Sequence, residues 1–390
     1  MRTEGTAIPA MIAGVLVYGL AVGASYPLLG LVLAGQVPAA WNGLNAAAMG
    51  LGMLAGIASL PRLARWLGAG RTVLLGVLAM ALALGLMAWE QSFALLFGAR
   101  LLLGWGSNLM FVVVETAINQ QSAAGRRGRI LGLYVAANTL GFVVGPALVA
   151  LAPDRPGPLL AACAAVALLS LLPFSRARRI LDRQPLPPAG GALAVVRALP
   201  FAFALVLLAS LVDSLVLSLL PVILTAQGAS AASSALMVAL FHVGLMVGQP
   251  LVGFGLDRLG RRRTVLACCG LACLATGLLA AGGAGEGPLP VLAFLVWGGS
   301  TYGLYTAGLA LLGDRFAGGE LLAGTGTIAA VYALAAVAAP LSAGSLLQAL
   351  GPGDLFAVTA LLYLLAGLAG ACRFRPPEPS LGERGAGGTP

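Results

Sequence analysis

The chain contains no lysine, so all 22 of its basic residues are arginine. It has a single histidine, and only 9% of its residues are charged. Soluble domains carry about 25% charged residues, so there is too little charge here to cover a water-facing surface. The same shortage weighs against an enzyme. One histidine and a few scattered charges do not supply a converging acid, base or metal constellation. No phosphate-binding loop occurs either, so ATP-driven transport would need another subunit. A receptor would need a sizeable soluble output domain, and no stretch of the sequence provides one. Cysteine is scarce as well. Of Cys163, Cys268, Cys269, Cys273 and Cys372, the first four fall in apolar stretches and the last at the end of one. A disulfide framework does not fit that setting. Cys269 and Cys273 share a helix face, but small apolar packing residues explain them better than a metal pair.

What the chain has is apolar length. Hydrophobic residues make up 59% of it, in long runs rather than in a 3.6-residue stripe. Runs of about 18 or more read as membrane spans. Spans are expected at 8–34, 39–60, 72–89, 92–117, 128–152, 157–174, 199–225, 231–255, 264–283, 288–312, 322–348 and 353–371. At about 1.5 Å per residue each can cross about 30 Å of hydrocarbon, the long ones with tilt. The first stretch outruns the apolar core of a signal peptide and reads as an ordinary span. The expected fold is therefore an all-α membrane protein of twelve transmembrane helices. It divides into a six-helix bundle over 1–174, a cytoplasmic linker over 175–198, a second six-helix bundle over 199–372 and a disordered tail over 373–390. The Pro/Gly content of the linker and tail supports that division.

The arginines give the chain a direction. Twelve spans put both termini on one side, and twenty of the 22 arginines fall there. They include Arg62, Arg65 and Arg71, then Arg176, Arg178, Arg179 and Arg183, then Arg258, Arg261, Arg262 and Arg263. The opposite loops hold only Arg155, and Arg100 lies inside a span. This is the positive-inside pattern, which puts both termini of a bacterial inner-membrane protein in the cytoplasm. The net charge of +9 thus reports orientation and does not imply a nucleic-acid partner.

The two halves repeat at an offset of 192 to 194 residues. Leu67-Gly68 and Arg71-Thr72-Val73-Leu74 recur as Leu259-Gly260 and Arg263-Thr264-Val265-Leu266. Pro27 matches Pro221, Ser107 matches Ser300, and Pro146 matches Pro340. A constant offset over six spans marks a duplication. Two parallel repeats place a binding site between them, near the midplane, and disfavour a channel.

Between the eighth and ninth spans runs Gly253-Phe254-Gly255-Leu256-Asp257-Arg258-Leu259-Gly260-Arg261-Arg262-Arg263. This resembles the cytoplasmic-loop signature G-x-L-a-D-r-x-G-r-k of the major facilitator superfamily. A tight turn needs its glycines. Asp257 can cap a helix and pair with nearby arginine, latching the cytoplasmic side. The first-half loop, with Arg62, Arg65, Gly68 and Arg71, lacks that aspartate. Glu115, near the cytoplasmic end of span four, is expected to supply the missing carboxylate. Arg100-x-x-x-Gly104-x-Gly106 resembles the family's R-x-x-x-G-x-G pattern. Gly141-x-x-x-Gly145-Pro146 in span five resembles an element of proton-coupled antiporters and counts towards efflux. Its glycines let helices approach closely. The order Val114-Glu115-Thr116-Ala117-Ile118-Asn119 before Arg127-Gly128-Arg129 resembles a bacterial branch that includes copper importers. The resemblance implies a secondary transporter working by alternating access, without a cofactor, with spans one, four, seven and ten lining the cavity.

Ionisable groups in hydrocarbon are costly, so each is a candidate for function. Asp213, at the centre of span seven, is the first candidate for carrying a proton. Dry surroundings favour its neutral form, and a wetted cavity favours release. His242, near the middle of span eight, could relay protons. His242 and Met246 are also two soft donors on one face, which suits Cu(I) and resembles an element of copper importers. Span seven has no methionine to complete a second pair. Arg100 can bind an anion or act in gating. Tyr18, Tyr26, Asn45, Trp105, Asn108, Asn138, Gln249, Trp297, Tyr302 and Tyr305 are the remaining expected cavity residues. A lining that is mostly apolar suits a small amphipathic solute. The expected partners are that solute, protons and the lipid bilayer, with the chain acting as a monomer.

Overall fold

The structure, a computed structural model, describes residues 7–34, 36–121, 127–182, 192–282, 287–316 and 318–373. Among them are fourteen helices and no strand. In lipid the backbone finds no solvent partners, so an apolar chain satisfies its N–H and C=O groups within helices. The first half holds α1 (Ala7–Ala34), α2 (Ala39–Leu67), α3 (Ala69–Trp89), α4 (Phe93–Gln121), α5 (Arg127–Leu151), α6 (Pro156–Leu169) and α7 (Leu171–Leu181). A short α8 (Ala192–Ala198) precedes the second half. That half holds α9 (Pro200–Ala226), α10 (Ala231–Arg258), α11 (Gly260–Gly282), α12 (Pro288–Arg315), α13 (Gly318–Ala349) and α14 (Pro352–Arg373).

Eleven segments are long and apolar enough to cross a membrane, with α6 and α7 together forming one of them. The twelfth expected span is α12, which has the length but not the apolarity. Its Thr301, Tyr302, Tyr305 and Thr306 lower its hydropathy, and two of these belong to the interior site described below. Burial separates the layers. The spanning window of α9 is 72% buried, while that of α14 is 28% buried. The outer helices turn leucines outward, among them Leu78, Leu82 and Leu86 of α3 and Leu361, Leu364 and Leu365 of α14. Lipid is the solvent those side chains fit.

The duplication is visible in the turns. Gly68, with φ +86°, ends α2 and starts α3, and Gly260, with φ +81°, opens α11 just after the Leu259 cap of α10. Glycine takes this left-handed conformation without the Cβ penalty. Thr72 and Thr264 then donate their hydroxyls back to the carbonyls of those two glycines. Gly253 plays no part in the turn. It lies inside α10, and a side chain there would meet nothing within 4 Å.

The expected linker begins as helix. Phe174, Ala177, Ile180 and Leu181 form a buried stripe that packs α7 against α1 and α3. Such spacing places them on one helical face. Residues 183–191 of the linker, residues 374–390 of the tail, Arg2 and Arg126 lie outside the described residues.

The halves meet along α2 with α13, α5 with α10, and α1 with α9. Glycines set the distance. A side chain on Gly43 would strike the Pro340 carbonyl, and one on Gly30 would come within 2.7 Å of the Ser218 carbonyl. Gly344 in turn faces Ala39 and Gly43. These contacts close the end of the bundle away from the chain termini.

Candidate functional site

Asp213 is at the midpoint of α9, and His242 lies near the middle of α10. Each is 2% exposed. The sequence offered them as separate candidates, and the fold brings them together. His242 Nε2 lies 3.3 Å from Asp213 Oδ1. That oxygen accepts no hydrogen bond, so the contact is close but not aligned as one. The other ring nitrogen, Nδ1, is 2.8 Å from the Val238 carbonyl. A carbonyl can only accept, so Nδ1 carries a proton. Phe142 of the first half stacks on the imidazole at 5.9 Å. Asp213 Oδ2 accepts a 2.7 Å hydrogen bond from the Tyr332 hydroxyl of α13. The side chain of Tyr302 also approaches this carboxylate.

Tyr332 was not among the expected residues, yet the repeat pointed to it. Pro146 and Pro340 set an offset of 194 between α5 and α13, and Asn138 plus that offset is Tyr332. Pro27 and Pro221 set the same offset between α1 and α9, so Asp213 corresponds to Gly19. In the first half, a side chain at Gly19 would come within 2.6 Å of the Asn138 carbonyl. The glycine–asparagine contact of one half is therefore replaced by a carboxylate–phenol pair in the other.

Arg100, in α4, is 2% exposed, and neither Nη1 nor Nη2 has a hydrogen-bond partner. It lines a small cavity with Ser25, Tyr26, Leu29, Met49 and Leu103. Tyr26 is an electrostatic neighbour of both Arg100 and Asp213. It thus neighbours both the cation of one half and the carboxylate of the other.

Other expected cavity residues take different places. Trp297 is 1% exposed and packs among Phe241, Phe294 and Phe356, with its indole N–H donating to Tyr363. It belongs to the packed interior of its half, because a large ring fits an aromatic cluster better than a wet wall. Asn45 is fully buried and donates to the Phe93 carbonyl, tying α2 to the start of α4. Trp105 donates to Ser59 across the same pair of helices. Tyr18 packs its ring on Phe111 and Phe142. Asn108 and Asn138 each keep a buried side-chain oxygen without a partner. Tyr302 and Tyr305 pair at 5.9 Å between ring centres. Gln249 and Met246 are half-buried in α10. Nδ1 of His242 is taken by the Val238 carbonyl, and Nε2 lies against Asp213 Oδ1.

The latch is built differently from the expectation. Glu115 makes no ion pair with Arg65 or Arg71, and Arg65 donates instead to the Pro61 carbonyl. Glu115 is solvent-exposed yet has Tyr134 of α5 and Tyr305 of α12 as electrostatic neighbours. Its side chain is accessible and is flanked by both halves. In the first half the acid is Asp182, at the end of α7. Its Oδ1 accepts the Gly70 N–H at 2.8 Å, at the start of α3, and its Oδ2 lies 3.7 Å from Arg178. Aspartate suits a helix N-terminus, where N–H groups lack partners. In the second half Arg261 forms two 3.0 Å hydrogen bonds with Asp314 of α12. Asp257 is exposed and only 4.0 Å from Arg261, and Arg258 lies over the Phe254 ring. Arg62 and Arg71 are exposed.

Gly141 and Gly145 of α5 lie directly on the α1 backbone. A Cβ on either would strike the chain at Gly19–Leu20 or Gly23–Ala24. This element, with Pro146 one residue on, is accounted for by helix packing.

A profile of the Major Facilitator Superfamily matches residues 11–305 and 202–389. The MFS-type transporter YfkF of Bacillus subtilis (strain 168) is 25% identical over 327 residues, 82% of each chain. The enterobactin exporter EntS of Salmonella choleraesuis (strain SC-B67) is 28% identical over 187 residues, 46% of this chain and 45% of that one. Among solved structures, the nucleoside transporter NupG matches with a TM-score of 0.75 at 15% identity, over 96% of this chain and 100% of that chain. At that identity the likeness concerns the fold alone.

Proposed function

Because the chain belongs to the Major Facilitator Superfamily, we propose that it is a proton-linked transporter that carries a small amphipathic solute across the inner membrane by alternating access. It is a multi-pass membrane protein of a family of secondary transporters. The arginine distribution supports placing both termini in the cytoplasm. The conformation described is then closed towards the outside and accessible from the cytoplasm, where Glu115 is exposed.

The observation that carries the proton reading is the Asp213–His242 contact of 3.3 Å. With Nδ1 holding its proton against Val238, Nε2 can meet the carboxylate favourably in only two ways. Either Nε2 is protonated and faces a carboxylate, or a neutral acid donates to a bare Nε2. Each arrangement has one proton between the two groups. Without it, two lone pairs face each other in a dry interior. A movement that separates α9 from α10, or that admits water between them, removes the reason to hold the proton. Binding a proton in one conformation and releasing it in another is what coupling to a proton gradient requires.

Direction does not follow from the α5 glycine element, since packing explains it. The reading is tested without knowing the solute. Infrared difference spectra of purified protein after a pH jump should contain the bands of this pair, a carboxylic-acid C=O band or carboxylate and imidazolium bands, and these should disappear in Asp213→Asn. An unchanged spectrum in that variant sinks the assignment of the proton to this pair.

A further inference from the structure

Among the described residues, Arg100 is a buried cation without a counter-ion. No acidic residue lines its cavity, and its terminal nitrogens are unpartnered. A guanidinium stays charged in proteins, and leaving it unpaired in a dry interior is strongly destabilising. Packing alone does not require it. The repeat offset of 193, set by Ser107 and Ser300, maps Arg100 onto Ala293, which is equally buried. A chain that keeps this charge must offset it with something outside the protein.

We propose that Arg100 and Tyr26 bind an anionic group, such as a carboxylate, on the transported solute, and that the anion travels together with a proton held by Asp213 and His242. This rests on the proton-linked reading above. Charge counting is the reason. With the pair unprotonated, Arg100 and Asp213 cancel. A proton alone leaves the site at +1, an anion alone leaves it at −1, and the two together return it to zero. Net charge in the membrane interior is costly, so the neutral forms, empty or doubly loaded, are the ones that can reorient. Tyr26 connects the two centres, being the neighbour of both. Besides His242 of α10, the titratable groups facing Asp213 are Tyr26 of α1, Tyr302 and Tyr305 of α12, and Tyr332 of α13. Tyr26 is the group that faces Arg100. The cavity is water-sized in this conformation. Met49, unbranched and flexible, is the wall best able to yield to a larger head group.

The test is thermal stabilisation of purified full-length protein by acetate, benzoate and 1-naphthoate, with the corresponding amides as neutral controls. Measurements run from about pH 5.5 to 8, where free carboxylates stay ionised. At least one carboxylate should raise Tm, its amide should not, and binding should tighten as pH falls. Arg100→Gln should weaken carboxylate affinity by about tenfold or more. The ligand-free variant should be at least as stable as the parent protein, since an uncompensated charge is gone. Should that variant fail to fold, Arg100→Lys, which keeps the charge, and the carboxylate–amide comparison carry the test. Asp213→Asn mimics the protonated acid, so its carboxylate binding should be tight and indifferent to pH. Equal stabilisation by amides, no stabilisation by any carboxylate, or undiminished affinity in Arg100→Gln overturns the anion site. Arg100-dependent binding that is equally tight across the pH range leaves the anion site standing and overturns the proton link.

Discussion

At the scale of single residues, this transporter's interior is defined by how the two halves differ at equivalent positions. Asp213 and Tyr332 stand where the first half has Gly19 and Asn138, and Arg100 stands where the second half has Ala293. A duplicated chain that needed only to pack could have kept glycine and alanine throughout. The polar members are therefore the ones to probe. Tyr332→Phe removes the hydroxyl that donates to Asp213 Oδ2 and leaves that oxygen without its hydrogen bond. A loss of about 1–3 kcal/mol in stability is expected, read as a lower Tm. The infrared band of the Asp213 carboxyl group should also shift, because its partner has changed. A variant identical to the parent in both readouts would remove Tyr332 from the site. Glu115 shows the limit of reasoning from a motif. The sequence places it beside the basic loop, and the fold gives it Tyr134 and Tyr305 as neighbours instead.

At the scale of elements, the glycines fall into two groups that look alike in the sequence. Gly141 and Gly145 hold α5 against the backbone of α1, whereas Gly253 faces open space within α10. Gly141→Val should abolish folded protein or lower Tm sharply, because the clash is with backbone rather than a flexible side chain. Gly253→Ala should be neutral or stabilising by about 0.5–1 kcal/mol, since it only removes backbone freedom from a helix. Thermal unfolding of the two variants in the same detergent separates these outcomes. The basic loops divide similarly. Arg261 is held by Asp314, and the start of α3 is held by Asp182. Neither acid could be picked out from the loop motifs, because each comes from the end of another helix. An exposed pair such as Arg261–Asp314 contributes about 0–1 kcal/mol to stability, so its value lies in joining α11 to α12 rather than in holding the fold.

At the scale of the whole molecule, the halves touch backbone to backbone at one end of the bundle, and Glu115 is exposed towards the other. At the first end Gly43 lies under Pro340 and Gly344 over Ala39, too close for a side chain to fit between them. Glu115→Cys, in a background with the five native cysteines replaced, should react with a membrane-impermeant thiol reagent applied from the cytoplasmic side. Ala46→Cys, fully buried in α2, should not. Equal labelling from the outside would contradict closure towards the outside. Much of this architecture was legible in the chain itself. Long apolar runs dictate membrane helices, and the offset of 192 to 194 residues dictates two related halves. These are properties of segments, and they follow from how each segment partitions between water and lipid. The α12 helix is the instructive exception, because its interior tyrosines and threonines make a spanning helix less apolar than its neighbours. Which polar residues meet was decided only by tertiary structure. Asp213 and His242 are 3.3 Å apart, Trp297 retreats into an aromatic cluster, and Arg100 is left with Tyr26 and no counter-ion. The reason is that a helix shows its own periodicity in sequence but not the rotation at which it packs. That rotation is set jointly by the glycines, rings and carbonyls of its neighbours, and it alone chooses which side chains face one another.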